Sequence, residues 1–515
     1  MKLKRTLALA ISILLLIGVA DAQKGAKELT IIYTNDFHSA FDPVPAYWLE
    51  GSPRLGGAAQ LATLANQIRE RDRNTFFFDT GDMFTGQMSF LTQGEALMEM
   101  MRAMRYDAMV IGNHEFDYGA DNFEKQMNRV DFPVLGANIV FKGTDHRYSR
   151  PYTIVEKGGV RLGIIGIIGQ DARSVALPSG ITHLDFPDPI PVVRELVKEL
   201  RPHVDLVVVL AHQGKTGPMQ TDAENRPEVQ RDFDEDIRLA TEVEGIDILI
   251  GGHAHRGIEV PFVTPKTGTI IVQTYGYGTR LGYLKLKVDD GRVTSHQGEL
   301  LKVWSDLLQP DPAVEEKINY YRNLVAPKIG ILKGELKVRL VRDYLRESSL
   351  GNFITDVMRE KSGAEVAITN AGGLRADLPE GMVTNGHILD AFPFVNTLVV
   401  CRMTGAQLRE VIEQGLTLER GMIQVSGLKA VYDMARPVSK RLVSVEIGGV
   451  PVDDKRVYSV ATNSFVAQGG DLYQTFLRTE QKDSGVLLSD LLMDYLKEKG
   501  SAGLPRPGRM VPVTN

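Results

Sequence analysis

Several short stretches of the chain place metal-ligand residue types at or just past the end of an apolar run. In order they are Asp36-Phe37-His38, Gly81-Asp82, Gly112-Asn113-His114-Glu115 with Asp117 two residues on, Ala211-His212, and Gly252-His253-Ala254-His255. Hard oxygen donors mixed with imidazoles suit a pair of divalent cations rather than a redox cluster. Asp36 and His38 stand at i and i+2 of an extended segment and so share a face. Asp82 follows a tight Thr80-Gly81 turn, where one carboxylate can bridge two cations ~3.5–4 Å apart. Asn113 offers a neutral oxygen, and His212, His253 and His255 offer nitrogens. The Gly251-Gly252 pair lets backbone approach closely before His253. Two such cations lower the pKa of water and meet the charge on a phosphoryl group, so the pattern reads as metal-assisted hydrolysis. Each motif alone is commonplace, since an isolated Asp-x-His is more often a turn; the ordered set carries the reading. Asp79 reads differently, as a group that orients the turn before Asp82.

An open α/β sheet gathers functional groups at the carboxyl ends of its strands, so strands must lead into these motifs. Apolar β-rich runs predict them over residues 29–34, 75–78, 108–111, 162–168, 204–210, 246–250 and 270–274. Helical spacing of apolar residues predicts helices over 58–71 and 95–105. Continuous Val/Ile/Phe runs indicate strands buried on both faces, as in a layered α/β or αββα core. Residues 283–288 follow a Gly-rich turn and read as an antiparallel strand. A boundary is expected after Trp304: Pro310-Asp311-Pro312 stops the preceding structure, and 313–324 reads as a solvated connector helix ending near Pro327. A second cycle of helices and strands starts near Leu336.

The length, 515 residues, exceeds a comfortable single core and predicts two domains. A net charge of −6 argues against a general nucleic-acid binder, which needs a basic face. The one cysteine, Cys401, lies in the run Leu398–Cys401, so it reads as a buried thiol in a protein held together without internal disulfides. Lys2, Lys4 and Arg5 precede the apolar run 7–19 and an Ala20-Asp21-Ala22 cleavage site. That run falls short of the ~20 residues that span a bilayer. Residues 1–22 are thus expected to be a cleaved signal peptide, leaving a periplasmic or extracellular protein without a stable membrane anchor. Nothing in the sequence encodes an oligomeric state.

Taken together, Thr34-Asn35-Asp36-x-His38, Asp79-x-Gly81-Asp82, Gly112-Asn113-His114-Glu115-x-Asp117 and Gly252-His253-x-His255 resemble the calcineurin-like metallophosphatases. The whole chain resembles their secreted 5'-nucleotidase / UDP-sugar hydrolase family. The resemblance implies an α/β fold: a four-layer αββα metallophosphoesterase domain over 28–308, a linker helix over 309–332 and a smaller α/β substrate-binding domain over 333–515. It implies two divalent metal ions (Zn, Mn, Fe or Co), one held by Asp36, His38, Asp82 and His255 and the other by Asp82, Asn113, His212 and His253. His114 would assist the departing group, and Asp117 would hold its ring and keep it cationic. Glu115 is expected to tune its neighbours.

In the second half, residues 345–352 and 369–375 resemble the family's substrate domain. By that resemblance Arg346 and Arg375 bind anionic groups, and Asn370 and Gly372 line the base pocket; an arginine fork matches phosphate oxygens. Phe465 would stack on a nucleobase, worth ~1–3 kcal/mol, and Asp471 would accept from ribose hydroxyls. A second stacking aromatic is expected just after the Pro-Phe-x-x-Thr segment, where this chain has Leu398, so a one-sided sandwich is expected. The implied activity is removal of the 5'-phosphate of nucleotides, extending to UDP-sugars. A 2',3'-cyclic-nucleotide phosphodiesterase, a nucleotide-sugar pyrophosphatase and a thiosulfohydrolase are rivals within the family. A non-catalytic ligand-binding surface protein is the rival of another class, against which the full set of ligand positions and His114 weigh.

Overall fold

The computed structural model describes residues 26–46, 49–215 and 233–513; the expected signal peptide lies outside them. Along the strand Lys27–Thr34, Leu29, Ile31 and Tyr33 enter one core while Ile32 enters another. The strand Thr75–Asp79 divides the same way, Phe76 and Phe78 against Phe77. In Leu206–Gln213, Val208 and Leu210 oppose Val207 and Val209. A period-two strand that is apolar on both sides must be covered on both sides, which stacks two sheets between helices.

The first sheet orders its six strands as Arg292–Lys302, Arg280–Asp289, Lys27–Thr34, Thr75–Asp79, Ala108–Val110 and Val134–Leu135. The second runs Phe262–Val263, Ile270–Val272, Ile248–His253, Leu206–Gln213, Val160–Ile168 and Tyr152–Lys157. Helices Ala58–Arg71 and Glu95–Met104 cover the outside of the first sheet, and Pro189–Leu200 and Asp234–Glu242 the outside of the second. The result is the four-layer αββα arrangement. Parallel pairing of Lys27–Thr34 with Thr75–Asp79, of Thr75–Asp79 with Ala108–Val110, and of Leu206–Gln213 with Ile248–His253 aligns their carboxyl ends. Arg280–Asp289 pairs antiparallel with Lys27–Thr34, as its turn predicts.

Asp311 caps the connecting helix Pro312–Ile329, accepting from the amides of Ala313 (3.0 Å) and Val314 (3.1 Å). The helix is mostly exposed, as expected, with few core residues. Val314, Ile318, Tyr321 and Val325 are buried along one stripe, and the first three join the outer core of the first domain. The helix also runs through Pro327 to Ile329.

The second domain centres on a five-stranded sheet ordered Gln424–Ser426, Val366–Thr369, Val457–Asn463, Thr397–Thr404 and Glu480–Leu487. Val399, Cys401 and Met403 face one core with helix Gly405–Gly415; Leu398 and Ala461 face the other with Ser349–Ser362 and Leu488–Lys499. Cys401 is fully buried, and burial pushes its thiol up to about 11, which leaves it inert as expected.

Candidate active site

The seven predicted ligand positions of the first domain converge at the aligned strand ends. Asp36 Oδ1 lies 3.1 Å from His255 Nε2 and 3.9 Å from His38 Nε2, and those two nitrogens face each other at 3.2 Å. Beside them, His212 Nε2 is 3.2 Å from Asp82 Oδ2 and 3.2 Å from Asn113 Oδ1. Ligand-type atoms of Asp82, His212 and His253 all lie within 4.8 Å of one another, as do those of Asp36, His38 and His255. His212 and His253 stand on the last turns of pleat in their strands rather than in loops.

The backbone here is strained. Asp36, His38, Asp82, His253 and His255 all take left-handed conformations, with φ of 50°, 47°, 60°, 66° and 52°. Such conformations cost on the order of 1–3 kcal/mol each for residues with a Cβ. A web of short bonds holds them. The Asp36 amide donates to Gly81 O (2.9 Å), that of His38 to Asp82 O (3.0 Å), and that of His253 to Asp36 Oδ2 (2.9 Å). The Glu115 carboxylate accepts three amides, those of Asp82 (2.9 Å), Met83 (2.8 Å) and Gly112 (2.7 Å), so it binds two loops together. A Cβ on Gly112 would sit 2.4 Å from Asp82 Oδ1, so only glycine fits there. Asp79 turns away from the cluster to accept from Thr34 Oγ1 (2.6 Å) and the Gly81 amide (2.8 Å).

Hydrogen bonds behind the rings fix which nitrogens face inward. His212 Nδ1 donates to Thr80 O at 2.6 Å, and His38 Nδ1 is 3.0 Å from Thr85 Oγ1, which turns both Nε2 atoms into the cluster. In His253 the arrangement is reversed: Nε2 is 3.0 Å from Asp171 Oδ2, and Nδ1 is buried with no hydrogen-bond partner. Burial, reinforced by the charges of Arg375, His255 and His114, holds His38 well below its ordinary value, in the neutral form a metal ligand needs. Burial works against charge on His212 too, but Asp82 lifts it to about 10, a proton that a cation would replace. Buried carboxylates facing neutral or orphaned imidazole nitrogens are the donor set that divalent cations satisfy.

His114 stands beside this cluster. Its Nδ1 lies 2.9 Å from Asp117 Oδ2 and its Nε2 4.0 Å from Asp82 Oδ2. Burial opposes its charge, yet Asp117 and Asp82 together raise it from the ordinary histidine value, which favours the protonated ring. The second domain closes over these groups and leaves a cleft of about 910 Å³. His38, Asp82, Asn113, His114, Asp117, His253 and His255 line it from one side, and Asn370, Gly372, Arg375, Phe465 and Asp471 from the other.

Residues 29–257 match the family model described as calcineurin-like phosphoesterase, and residues 328–478 the one described as 5'-nucleotidase, C-terminal domain. The crystal structure of a 5'-nucleotidase precursor from Thermus thermophilus is 30% identical in sequence. It superposes with a TM-score of 0.82, over 95% of this chain and 100% of that one. The snake venom 5'-nucleotidase of Naja atra is 29% identical over 551 residues, covering 95% of this chain and 99% of its own. The human 5'-nucleotidase is 29% identical over 506 residues, 87% of this chain and 84% of its own. This chain belongs to the 5'-nucleotidase family. It is a metal-dependent phosphoric-ester hydrolase whose metallophosphoesterase domain uses two divalent cations.

Within this family member, two sequence expectations for the second domain give way. Arg346 is exposed and does not line the cleft; Arg342 and Tyr344 do. Leu345, between Tyr344 and Arg346, is buried. Leu398 is 5% exposed and packs in the domain core, because it is already a strand residue paired with Asn463. Phe394, four residues earlier, lines the cleft instead. Its ring stacks on His114 at 5.8 Å, and the Arg375 guanidinium lies 5.9 Å from its centre. An aromatic in the loop between helix Asn385–Ala391 and strand Thr397–Thr404 was the available signal. Asp171 and Arg420 left no signal of their own.

Proposed function

We propose that this protein removes the 5'-phosphate of nucleotides in the cleft between its domains. The observation that carries the reading is the shared cavity: it brings the two-cation cluster, the His114–Asp117 pair and two aromatic rings, Phe394 and Phe465, to one space. Asp36, His38, Asp82 and His255 hold one cation, and Asp82, Asn113, His212 and His253 the other. When bound, such a pair supplies Lewis-acid activation of water and neutralises phosphoryl charge. The chain's own residues do the rest. Arg375 and Arg342 face the anionic group from the second domain and orient it for in-line displacement. His114, kept cationic by Asp117, gives its Nε2 proton to the departing nucleoside oxygen. Phe394 and Phe465 hold the base, and Asp471, steadied by Asn370 Nδ2 at 2.6 Å, accepts from ribose hydroxyls.

Two rings in the cleft favour a nucleobase over the sulfur carrier of a thiosulfohydrolase. The first domain spans 28–308, the connector 309–332 and the substrate domain 333–515. Export to the periplasm or cell exterior fits the basic and apolar start of the chain, and no helix among the described residues is long and apolar enough to cross a membrane. Purified, metal-loaded protein assayed on AMP, bis-p-nitrophenyl phosphate and UDP-glucose tests the substrate class. Phosphate release from AMP should be fastest; none from AMP would overturn the reading.

A further inference from the structure

Asp171 has two partners on one oxygen, and they come from different domains. Its Oδ2 lies 3.0 Å from His253 Nε2 and 2.9 Å from Arg420 Nη2. Asp171 sits just beyond strand Val160–Ile168, at the start of the short helix Ala172–Val175 in the first domain. Arg420 sits in the tight turn before strand Gln424–Ser426 in the second, and is only 9% exposed. Burial of the Arg420 guanidinium is offset by the charges of Asp171 and then of Asp471, the residue that Asn370 holds at 2.6 Å. A hydrogen-bonded chain therefore runs from His253 at the metal cluster through Asp171 to Arg420, whose charge is felt in turn by Asp471 on the substrate side of the cleft.

The consequence at His253 is specific. A carboxylate at Nε2 takes the ring's proton on that side and leaves Nδ1 as the bare lone pair, which is the buried nitrogen without a partner. The carboxylate is itself oriented by a cation that arrives only when the second domain is docked. Arg420 is thus a positioning residue that touches neither phosphate nor metal.

We propose that Asp171 and Arg420 form a positioning pair that sets His253 for its cation in the docked arrangement of the domains, so that metal retention and nucleoside binding reinforce each other. This rests on the ligand assignment proposed above. Coupling of this kind is reciprocal: whatever favours docking slows metal loss, and metal occupancy tightens the nucleoside.

The test is Zn²⁺ release from the loaded, full-length protein into a chromogenic chelator, with and without adenosine. In the wild type adenosine should slow the release of one of the two ions. Asp171→Asn should speed that release roughly 10–100-fold, the usual effect of removing a group that orients a metal-bound histidine. Arg420→Met should release the same ion about tenfold faster and abolish the protection by adenosine, and Arg420→Lys should restore part of both. Thermal melts confirm that each variant is folded, and Arg420→Lys serves if Arg420→Met is not. Release from folded Arg420→Met at the wild-type rate, with protection by adenosine intact, would overturn the proposal. AMP turnover is read separately. Its absence in the wild type sinks the nucleotide assignment, and the release rates of the two variants still judge the pair.

Discussion

The two walls of the cleft are built on different principles. In the first domain, Asp36, Asp82, His212 and His253 stand at or just past strand ends, are at most 2% exposed, and are tied in by amide-to-carboxylate bonds. In the second, Arg375, Phe394, Phe465 and Asp471 come from loops and single turns and are only half-buried. The first wall is laced by hydrogen bonds to its own backbone; the second presents partly exposed side chains from short turns. On the proposed reading, the chemistry falls to the more rigidly held wall and selection of the leaving group to the other.

That contrast can be broken most severely on the rigid side. His114→Ala should lower turnover on the order of 10²–10⁴-fold while metal content, read by elemental analysis, stays at the wild-type level. Asp82→Ala should lose the metal as well. Unchanged turnover in His114→Ala would remove that residue from the reaction.

A smaller effect is expected across the cleft. Phe394→Ala should raise the KM for AMP by the loss of ~1–3 kcal/mol of stacking, with hydrolysis of p-nitrophenyl phosphate nearly intact. Leu398→Ala should do the opposite, costing about 2–5 kcal/mol of stability with no change in KM. If Leu398→Ala instead raised KM and Phe394→Ala did not, the sequence expectation would be restored.

An effect on stability alone, with none on turnover, sits at the seam. Asp390 of the second domain accepts from the amide (3.3 Å) and Nε2 (3.1 Å) of Gln87 in the first. Burial, with Asp42 nearby, pushes its carboxyl from 3.8 up to about 6. Between those values the folded protein keeps a proton that the unfolded chain releases, so stability falls as pH rises through that window. Asp390→Asn should flatten this slope and stabilise the protein above pH 6 by on the order of 2–3 kcal/mol. Denaturant melts at pH 4.5 and 7.5 with an undiminished slope in the variant would rule the assignment out.

The same contrast explains what the sequence disclosed. The αββα core and the metal cluster were legible because apolar runs mark buried parallel strands and topology alone places His212 and His253 at their ends. Asp36-x-His38 was legible for its spacing, although the left-handed turns that aim it were not. Arg346 misled because a motif in a loop carries no period, and Leu398 because it already lies in strand Thr397–Thr404 and faces the core. The Asp171–Arg420 pair lies 249 positions apart and exists only through the docking of two domains, which no local pattern records. The connector was legible as a mostly exposed helix, but which domain its four thinly spread core residues join was not.

That helix has a mechanical consequence. Because Val314, Ile318 and Tyr321 fasten it to the metallophosphoesterase domain, it travels with that domain as one rod. Its far end meets the second domain just after Ile329, where the Asn385 amide donates to Ile331 O and its Nδ2 to Lys328 O. One asparagine at the start of helix Asn385–Ala391 thus clasps both sides of the joint between rod and substrate domain.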